Sequence, residues 1–428
     1  MKLGLRSYKK YMNKHICVRE SFDWIGIGEK KDELTAKEYN SLVRYLENNM
    51  SSDVEIIQNK YKKIRFINYV GILNIENVTI EIIAKISLSD DKDTDKKILL
   101  KMLSKCMDLE LNLDEEINSK VQNYNLLELL ANKYVDSLLQ EINKGLYFEY
   151  INKEENLNVI RGKLLLNKHV KYNYANKVKA YNDYSEYSSD NILNQIFKLA
   201  CIRILNKAYN NKIINKAKKV IFDLSNVSVV NINSETLKRL KLNRQNKRFS
   251  TCFALAKFIL LNVTNESSVG NSSGFTMLFE INTLYEKYIG YLMKEIWKGK
   301  GKKVLFQDNS KHLLLNTKTK QKNFNLKPDI VLNENNINQI IIDTKWKAVE
   351  YKSKLSFKTN DIYQMYAYVS SYKEAKKAVL LYPCLIKEKE YPSWDLLNYE
   401  GKQIEVKTVR LDNYENTLND LKRIFIDD

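Results

Sequence analysis

Two aspartates and a lysine lie at the ends of short apolar stretches in residues 326–347, which read LKPDIVLNENNINQIIIDTKWK. Asp329 precedes the first stretch, and Asp343 and Lys345 follow three consecutive isoleucines in the second. Alternate residues of a β-strand face the same side, so Asp343 and Lys345 are expected to project together. A neighbouring strand that carries Asp329 would complete a site with two carboxylates and one ammonium group.

This combination of side chains suits the hydrolysis of a phosphodiester bond. Mg²⁺ binds one or two carboxylates, water and substrate phosphate oxygens, and it lowers the pKa of bound water. We therefore predict Asp329 and Asp343 as metal ligands, with the backbone carbonyl of Thr344 as a further oxygen and Mn²⁺ as an alternative ion. The ammonium group of Lys345 would orient the attacking water or counter the phosphate charge.

The tripeptide Asp-x-Lys has little weight alone, because it recurs by chance in this lysine-rich chain at residues 90–92, 95–97 and 420–422. Those copies lie in charged or terminal helix-like segments, whereas Asp343 ends an apolar strand. Ionisable groups at the end of a buried strand are costly unless they are paired or bind a metal. The other interpretation of residues 329, 343 and 345 is a structural ion cluster.

The surrounding pattern predicts elements in the order helix, strand, strand, strand, helix, strand. Their predicted ranges are 275–297, 304–306, 329–332, 339–346, 358–372 and 378–382. In the second helix, Gln364 and Tyr368 are four residues apart and so share one face.

This order, together with Asp329, Asp343-x-Lys345 and Gln364-x-x-x-Tyr368, resembles the PD-(D/E)xK nuclease superfamily, in particular the branch with a QxxxY helix. The resemblance implies an acidic residue on the first helix, for which Glu286 is our candidate and Glu280 a weaker one. It also implies that Gln364 and Tyr368 act beside the substrate phosphate or the lysine. The alternatives are a solvent-facing carboxylate at Glu286 and a half-buried polar pair packed on the sheet.

Segments in a particular order over residues 55–385 also resemble the McrC family, the nuclease subunits of McrBC-type modification-dependent restriction systems. These segments are residues 69–73, 78–86, 99–107, 160–163, 184–197 and 284–286. One departure is Ala84 before Lys85, where the family usually has proline. The resemblance implies that the amino-terminal region docks on a McrB-like hexameric AAA+ GTPase and stimulates its hydrolysis, while this chain cleaves DNA.

Length and composition predict a multidomain globular protein. The chain has 428 residues, of which 44% are hydrophobic, with only 12 Gly and 3 Pro. We expect a mixed α/β and α+β fold in three parts. These are a β-rich amino-terminal partner-docking domain (1–95), a mainly helical middle domain (96–266), and a PD-(D/E)xK restriction-endonuclease-like α/β domain (275–428).

Local sequence signals for caps, turns and linkers support these divisions. Residues 35–38 form a capping box before a helix, and residues 63–86 read as a pair of strands. The polar segment 87–97 is expected to be a solvated loop, and residues 267–274 (SSVGNSSG) a linker. The basic stretch 238–248 has two interpretations, a solvated helix face or a DNA-backbone contact.

The charge balance favours a polyanionic partner such as DNA, since 70 Lys and Arg against 52 Asp and Glu give a net charge of +18. Five scattered cysteines without a CxxC pair favour a reducing, cytoplasmic location. Three scattered histidines, including His312, exclude a credible zinc site or a histidine-based nucleophile. No membrane span and no P-loop occur, so we expect no membrane partner and no nucleotide bound by this chain.

Two other functions stay open from the sequence. The chain could be a non-cleaving adaptor that activates the motor, or a stand-alone basic nuclease that works without one. Retention of Asp329, Asp343 and Lys345 together argues against the first. We therefore expect a Mg²⁺-dependent endodeoxyribonuclease subunit of an antiviral restriction complex.

Overall fold

The computed structural model describes most of the chain. The described residues are 14–49, 55–75, 78–86, 91–106, 125–175, 178–205, 210–262, 274–299, 301–334, 337–347, 358–384 and 391–426. Two compact units result, one from Met1–Leu126 with Glu266–Asp428 and the other from Leu127–Asn265. The first unit is thus built from both parts of the sequence that flank the second. The predicted division at residues 95 and 266 into three domains stays a prediction.

The amino-terminal part of the first unit is rich in β-strands. Its elements are β1 (Lys14–Arg19), β2 (Ile25–Gly26), α1 (Ala36–Asn49), β3 (Ile57–Lys60), β4 (Lys63–Phe66), β5 (Tyr69–Ile75), β6 (Val78–Ile83) and α2 (Lys92–Cys106). The predicted capping box is confirmed, because the amide of Glu38 donates to Thr35 Oγ1 and that of Thr35 to Glu38 Oε2. The range 63–86, predicted as one pair of strands, contains three strands, β4, β5 and β6. Strands β5 and β6 are antiparallel neighbours, and residues 76–77 between them lie outside the described residues.

The prediction of a solvated loop at residues 87–97 is wrong where it can be compared. Residues 87–90 lie outside the described residues, but α2 begins at Lys92, and Asp95 and Lys96 are buried. Asp95 accepts a hydrogen bond from Arg19 Nε at 3.0 Å, and Lys96 pairs with buried Glu81 at 3.0 Å. Charged side chains are buried here because each pairs with an opposite charge on a strand of the four-stranded sheet. The local composition of residues 87–97 does not reveal these partners.

The second unit is mainly helical with a small sheet. Its elements are α3 (Leu126–Asn143), β7 (Glu149–Leu157), β8 (Lys163–Leu164), α4 (Leu166–Asn173), β9 (Ala180–Ser188), α5 (Ile192–Leu205), α6 (Asn211–Asp223), α7 (Ser234–Arg239) and α8 (Ser250–Asn262). Strand β9 lies between β7 and β8 and is antiparallel to both. Helix α5 packs against α6 and α8.

The carboxyl-terminal part of the first unit alternates strands and helices. Its elements are β10 (Gly274–Glu280), α9 (Ile281–Trp297), β11 (Lys302–Phe306), β12 (His312–Leu315), β13 (Lys322–Asn325), β14 (Ile330–Glu334), β15 (Ile337–Thr344), α10 (Thr359–Ser371), β16 (Lys377–Pro383), β17 (Ser393–Asp395), β18 (Gln403–Val409) and α11 (Tyr414–Phe425). The predicted strands near 304–306, 329–332, 339–346 and 378–382 correspond to β11, β14, β15 and β16. The predicted helix within 358–372 corresponds to α10.

The predicted helix at 275–297 is wrong over its first residues. Residues 274–280 form β10, which pairs antiparallel with β5, and α9 begins only at Ile281. The four-stranded sheet therefore has the order β1-β6-β5-β10. The backbones approach closely at Gly71, where a Cβ atom would lie 1.9 Å from the carbonyl oxygen of Met277. Strand β5, which pairs with β10, is far away in sequence. The helical periodicity of residues 275–297 gave no sign of this pairing, so the predicted helix began too early.

A six-stranded sheet of order β11-β14-β15-β16-β18-β17 forms the second large sheet of this unit. Strands β11, β14 and β15 are antiparallel neighbours, whereas β15, β16 and β18 run parallel. Val331, Ile341 and Leu380 pack in one core with Met365 and Val369 of α10. The intervening residues of these strands are also buried, and α9 and α11 contact the sheet. Such coverage explains the continuous apolar stretches in the sequence.

Within the described residues the chain is a mixed α/β protein with eleven α-helices and five sheets. None of these helices combines the length and apolarity needed to cross a bilayer.

Candidate active site

The register of β14 and β15 brings the two predicted carboxylates together. Ile330 pairs with Ile342 in this antiparallel ladder, so the register carried one residue further sets Asp329 opposite Asp343. Residues directly opposite each other share a face of the sheet, with Cβ atoms about 5 Å apart. That face also carries Val331 and Ile341, which pack with α10. The convergence predicted from sequence is therefore present.

Asp329 is fixed by the residue that comes after Asp343. The amide and the hydroxyl group of Thr344 both donate to Asp329 Oδ2, at 2.7 and 2.8 Å. Burial raises the pKa of Asp329, and the two bonds from Thr344 oppose that shift. The observed contacts of Thr344 are thus through its amide and side chain, and the predicted metal contact through its carbonyl stays a prediction.

Asp343 is almost fully buried and lies beside Lys345. Lys345 Nζ is 2.6 Å from the buried Asp343 Oδ2, and the two groups form an ion pair. Burial, reinforced by the Asp329 carboxylate and opposed by Lys345, raises the pKa of Asp343 to about 7. Burial lowers the pKa of Lys345, but attraction to Asp343 outweighs it, so the net direction is upward.

Gln364 and Tyr368 of α10 extend the site from Lys345 back to the segment before Asp329. Lys345 Nζ donates to Gln364 Oε1 at 3.2 Å, and Gln364 Nε2 donates to the Tyr368 hydroxyl at 2.8 Å. The hydroxyl donates in turn to the carbonyl of Lys327 at 3.1 Å. Burial raises the pKa of Tyr368 to about 12, so the hydroxyl stays protonated at neutral pH. Gln364 thus contacts the lysine directly, and Tyr368 is linked to it through Gln364.

Glu286 lies on α9 at the edge of this site. Its Oε1 accepts a hydrogen bond from Gln307 Nε2 at 2.8 Å, and the amide of Gln307 donates to the carbonyl of Asp329 at 2.9 Å. Burial and the charge of Asp329 raise the pKa of Glu286. Glu280, the weaker candidate, is exposed just before α9 and accepts a hydrogen bond from Thr283.

The site fits a hard cation that keeps part of its water shell. In the part of the chain that the structure describes, no three His, Cys, Asp or Glu side chains form a ready metal cage. Asp329 and Asp343 instead offer two carboxylates on one face, and Lys345 neutralises the buried Asp343 carboxylate only in part. Mg²⁺ typically takes one or two protein carboxylates and fills its other positions with water and phosphate oxygens.

A basic groove of about 720 Å³ is lined mainly by residues of α9, among them Glu286, and also by Gln307. The residues that line it are Lys105, Cys106, Glu286, Lys287, Tyr291, Lys294, Glu295, Lys298, Phe306 and Gln307. Lys294 lies over the ring of Phe306 at 4.3 Å, and Lys105 over that of Tyr291 at 5.0 Å. Glu295 accepts a hydrogen bond from Tyr414. Four lysines thus line a groove that shares Glu286 and Gln307 with the candidate site.

Other residues singled out in the sequence do not join the site. His312 begins β12, and the five cysteines, all within the described residues, form no disulfide. In the basic stretch 238–248, Arg248 donates to the carbonyl of Gly145 within the second unit and lies over the ring of Phe249.

Sequence reasoning missed two residues, Gln307 and Trp346. Gln307 links Glu286 to Asp329. It also missed the lysine spacing of α9, where residues 287, 294 and 298 recur at intervals of seven and four, although that signal was available.

The fold and the site define a mixed α/β protein with two carboxylates and a lysine at the end of adjacent strands. A sequence model described as "McrBC 5-methylcytosine restriction system component" matches residues 64–383, and the chain belongs to that family. No curated protein matches the chain.

Two solved structures share the fold. One is a refined half-complex from a tetradecameric assembly of Thermococcus gammatolerans McrB AAA+ hexamers with bound McrC. It matches with a TM-score of 0.69 and 18% identity, over 96% of this chain and 100% of the matched chain. The other is the cryo-EM structure of the Thermococcus gammatolerans McrBC complex, with a TM-score of 0.51 and 20% identity, over 66% of this chain and 88% of that one.

Proposed function

We propose that this chain is the Mg²⁺-dependent DNA endonuclease subunit of a McrBC-like restriction complex. The observation that carries the proposal is the convergence of Asp329, Asp343 and Lys345 at the ends of β14 and β15. The order of strands and helices around them supports a PD-(D/E)xK nuclease domain in the carboxyl-terminal part of the chain. Membership of the McrBC family supports the restriction role.

Each site residue has a separate task in this proposal. Asp329 and Asp343 would hold Mg²⁺, or Mn²⁺ in its place, with the Thr344 carbonyl as a further oxygen. The bound ion supplies an acidified water and neutralises charge on the scissile phosphate. Lys345 orients the attacking water, and Gln364 and Tyr368 hold the lysine through the observed hydrogen bonds. Glu286, which is linked to Asp329 through Gln307, would serve as a proton acceptor at the edge of the site.

The basic groove gives DNA a route to this site. Lys287 and Lys294 of α9 and Lys298 just after it line the groove together with Glu286. Lysine ammonium groups bind phosphate as point charges without reading bases. We therefore propose that the groove holds the DNA backbone next to the scissile phosphate and that sequence or methylation is read elsewhere.

The partner is proposed to be an AAA+ GTPase hexamer. In the similar assembly, McrC is bound to McrB AAA+ hexamers, and this chain shares the fold of that structure. The amino-terminal region would dock on the hexamer and stimulate GTP hydrolysis, and cleavage would occur when translocating complexes meet. No P-loop occurs in the sequence, so this chain would bind no nucleotide. Five cysteines that form no disulfide agree with action in the reducing cytoplasm.

The test is DNA cleavage by this chain assembled with a McrB-like AAA+ motor protein. With GTP and Mg²⁺, we expect the wild-type complex to cut methylated DNA and spare unmethylated DNA. Asp343→Ala and Lys345→Ala should abolish cutting while they still stimulate GTP hydrolysis. Lys422→Ala, which removes the lysine of another Asp-x-Lys tripeptide, should cut normally. Unchanged cutting by Asp343→Ala would refute the proposal.

A further inference from the structure

Trp346 lies directly after the proposed catalytic lysine and is held from three directions. Its indole Nε1 donates to Glu20 Oε2 at 3.3 Å, and its amide donates to Asn282 Oδ1 at 3.2 Å. Its ring meets that of Tyr285 edge to face, with centroids 5.5 Å apart. Glu20 comes just after β1 of the four-stranded sheet, 326 residues away in sequence. Trp346 thus joins that sheet to the end of β15.

The Glu20 carboxylate is buried, and both of its oxygens accept hydrogen bonds. Oε1 accepts from the Asn68 amide at 2.8 Å and from the Ser21 hydroxyl at 2.5 Å, while Oε2 faces the indole. Burial raises the pKa of Glu20, and the bonds from Ser21, Asn68 and Trp346 oppose that rise. A carboxylate is the side chain that can accept from all three donors at once.

The position of Lys345 depends on the anchors on either side of it. Strand β15 ends at Thr344, and the amide of Lys345 still donates to the carbonyl of Leu381 at 3.0 Å. The next anchors along the described chain are those of Trp346 and then the ion pair of Lys347 with Asp361 at 2.9 Å. The backbone of Lys345 is therefore fixed on one side by the sheet and on the other by the indole.

We infer that Glu20 is a positioning residue that holds Lys345 in place through Trp346, and so couples the amino-terminal sheet to the DNA-cleaving site. The inference rests on the proposed function. A shift of the segment after β1, as partner docking would cause, moves the indole and with it Lys345. A displacement of about 1 Å in a reacting group can lower a rate about a hundredfold, so this contact is able to regulate cleavage.

A double-mutant cycle in the assembled complex tests the coupling. In Glu20→Gln, the amide carbonyl can face Asn68 and Ser21, which leaves the amide donor against the indole N–H and displaces Trp346. In Trp346→Phe, the ring stays and the N–H is lost. We expect each single variant to lower kcat about tenfold with KM for DNA unchanged. The double variant should match Trp346→Phe alone, because the repulsion disappears with the indole N–H.

The control is Glu81→Gln, which alters another buried glutamate of the same sheet that pairs with Lys96. We expect it to lower thermal stability at least as much as Glu20→Gln while kcat stays at the wild-type value. A kcat unaffected by Glu20→Gln, or losses that multiply in the double variant, would overturn the inference. A wild-type complex that cuts no better than Asp343→Ala would instead overturn the proposed function, and the positioning role with it.

Discussion

At the scale of single residues, the buried carboxylates of the site lower the stability of the metal-free protein. Asp343 is buried opposite Asp329, and its pKa is raised to about 7 because burial and a like charge disfavour its ionised form. Lys345 compensates only in part. Such an arrangement is expected where a cation supplies the missing charge, since functional sites commonly retain groups that destabilise the fold.

This instability predicts that Asp343→Asn raises the thermal stability of the metal-free protein, by an amount that depends on pH. The raised pKa favours the protonated native state, so the contribution of Asp343 to stability is present below its unfolded pKa near 3.8 and is lost as pH rises through about 7. In the metal-free protein at pH 8, the variant should therefore unfold about 2–4 °C above the wild type. The difference should shrink at pH 5. Thermal unfolding in EDTA checks this, and a pH-independent difference would contradict it.

The hydroxyl of Tyr368 is predicted to matter for rate through Gln364. Tyr368→Phe removes the group that accepts from Gln364 and donates to Lys327, which frees Gln364 from Lys345. One hydrogen bond contributes about 1 kcal/mol, so kcat should fall roughly five- to tenfold. Tyr372→Phe is the matched control, because its hydroxyl donates to Asp308 at 2.7 Å and touches neither Gln364 nor Lys345. Equal losses in single-turnover assays of the two variants would count against the role of Tyr368.

At the scale of elements, local sequence patterns predicted those strands, helices and side-chain pairs that depend on residues close together in the chain. Alternation and the apolar stretches predicted β14 and β15 and the facing carboxylates, and four-residue spacing predicted the Gln364 and Tyr368 pair on α10. The failures share one cause, which is a partner distant in sequence. Residues 274–280 are a strand because β5 pairs with them, and Asp95 is buried because Arg19 meets it. The contact of Glu20 with Trp346 likewise leaves no signal in either neighbourhood.

The close pairing of β5 and β10 predicts that Gly71→Ala is strongly destabilising. Gly71 has φ of 137°, and an added Cβ would lie 1.9 Å from the Met277 carbonyl oxygen. Backbone strain and overpacking together should cost about 2–4 kcal/mol of unfolding free energy. Gly299→Ala has the strain of φ 78° with no atom within 4 Å of the added methyl, so it should cost about 1 kcal/mol. Denaturant unfolding that ranks the two equally would contradict the close approach.

At the scale of the whole molecule, the net charge of +18 favours DNA as a partner but does not indicate which surface would bind it. The groove along α9 makes the location testable. In an Asp343→Asn background that blocks cleavage, replacing Lys287, Lys294 and Lys298 by alanine should weaken binding of a short duplex. The slope of log affinity against log salt should fall by about 2–3, since each lost phosphate contact removes about 0.9.

The matched control removes the same charge from another helix surface. Lys212, Lys218 and Lys219 are exposed on α6 of the second unit. Their replacement by alanine should leave the salt slope, measured by fluorescence anisotropy, close to that of the parent. If both triple variants change affinity and slope alike, general lysine content binds DNA and the groove has no special part.

The division of the first unit between residues 1–126 and 266–428 has a consequence for biosynthesis. As the polypeptide leaves the ribosome, β5 and β6 emerge long before β10, which completes their sheet. Residues 127–265 can reach their native contacts in the meantime, whereas the flanking unit stays incomplete until the last strands and helix are translated. A nascent chain stalled before residue 274 would expose an unpaired strand edge, so premature termination should yield aggregation-prone fragments rather than a working half.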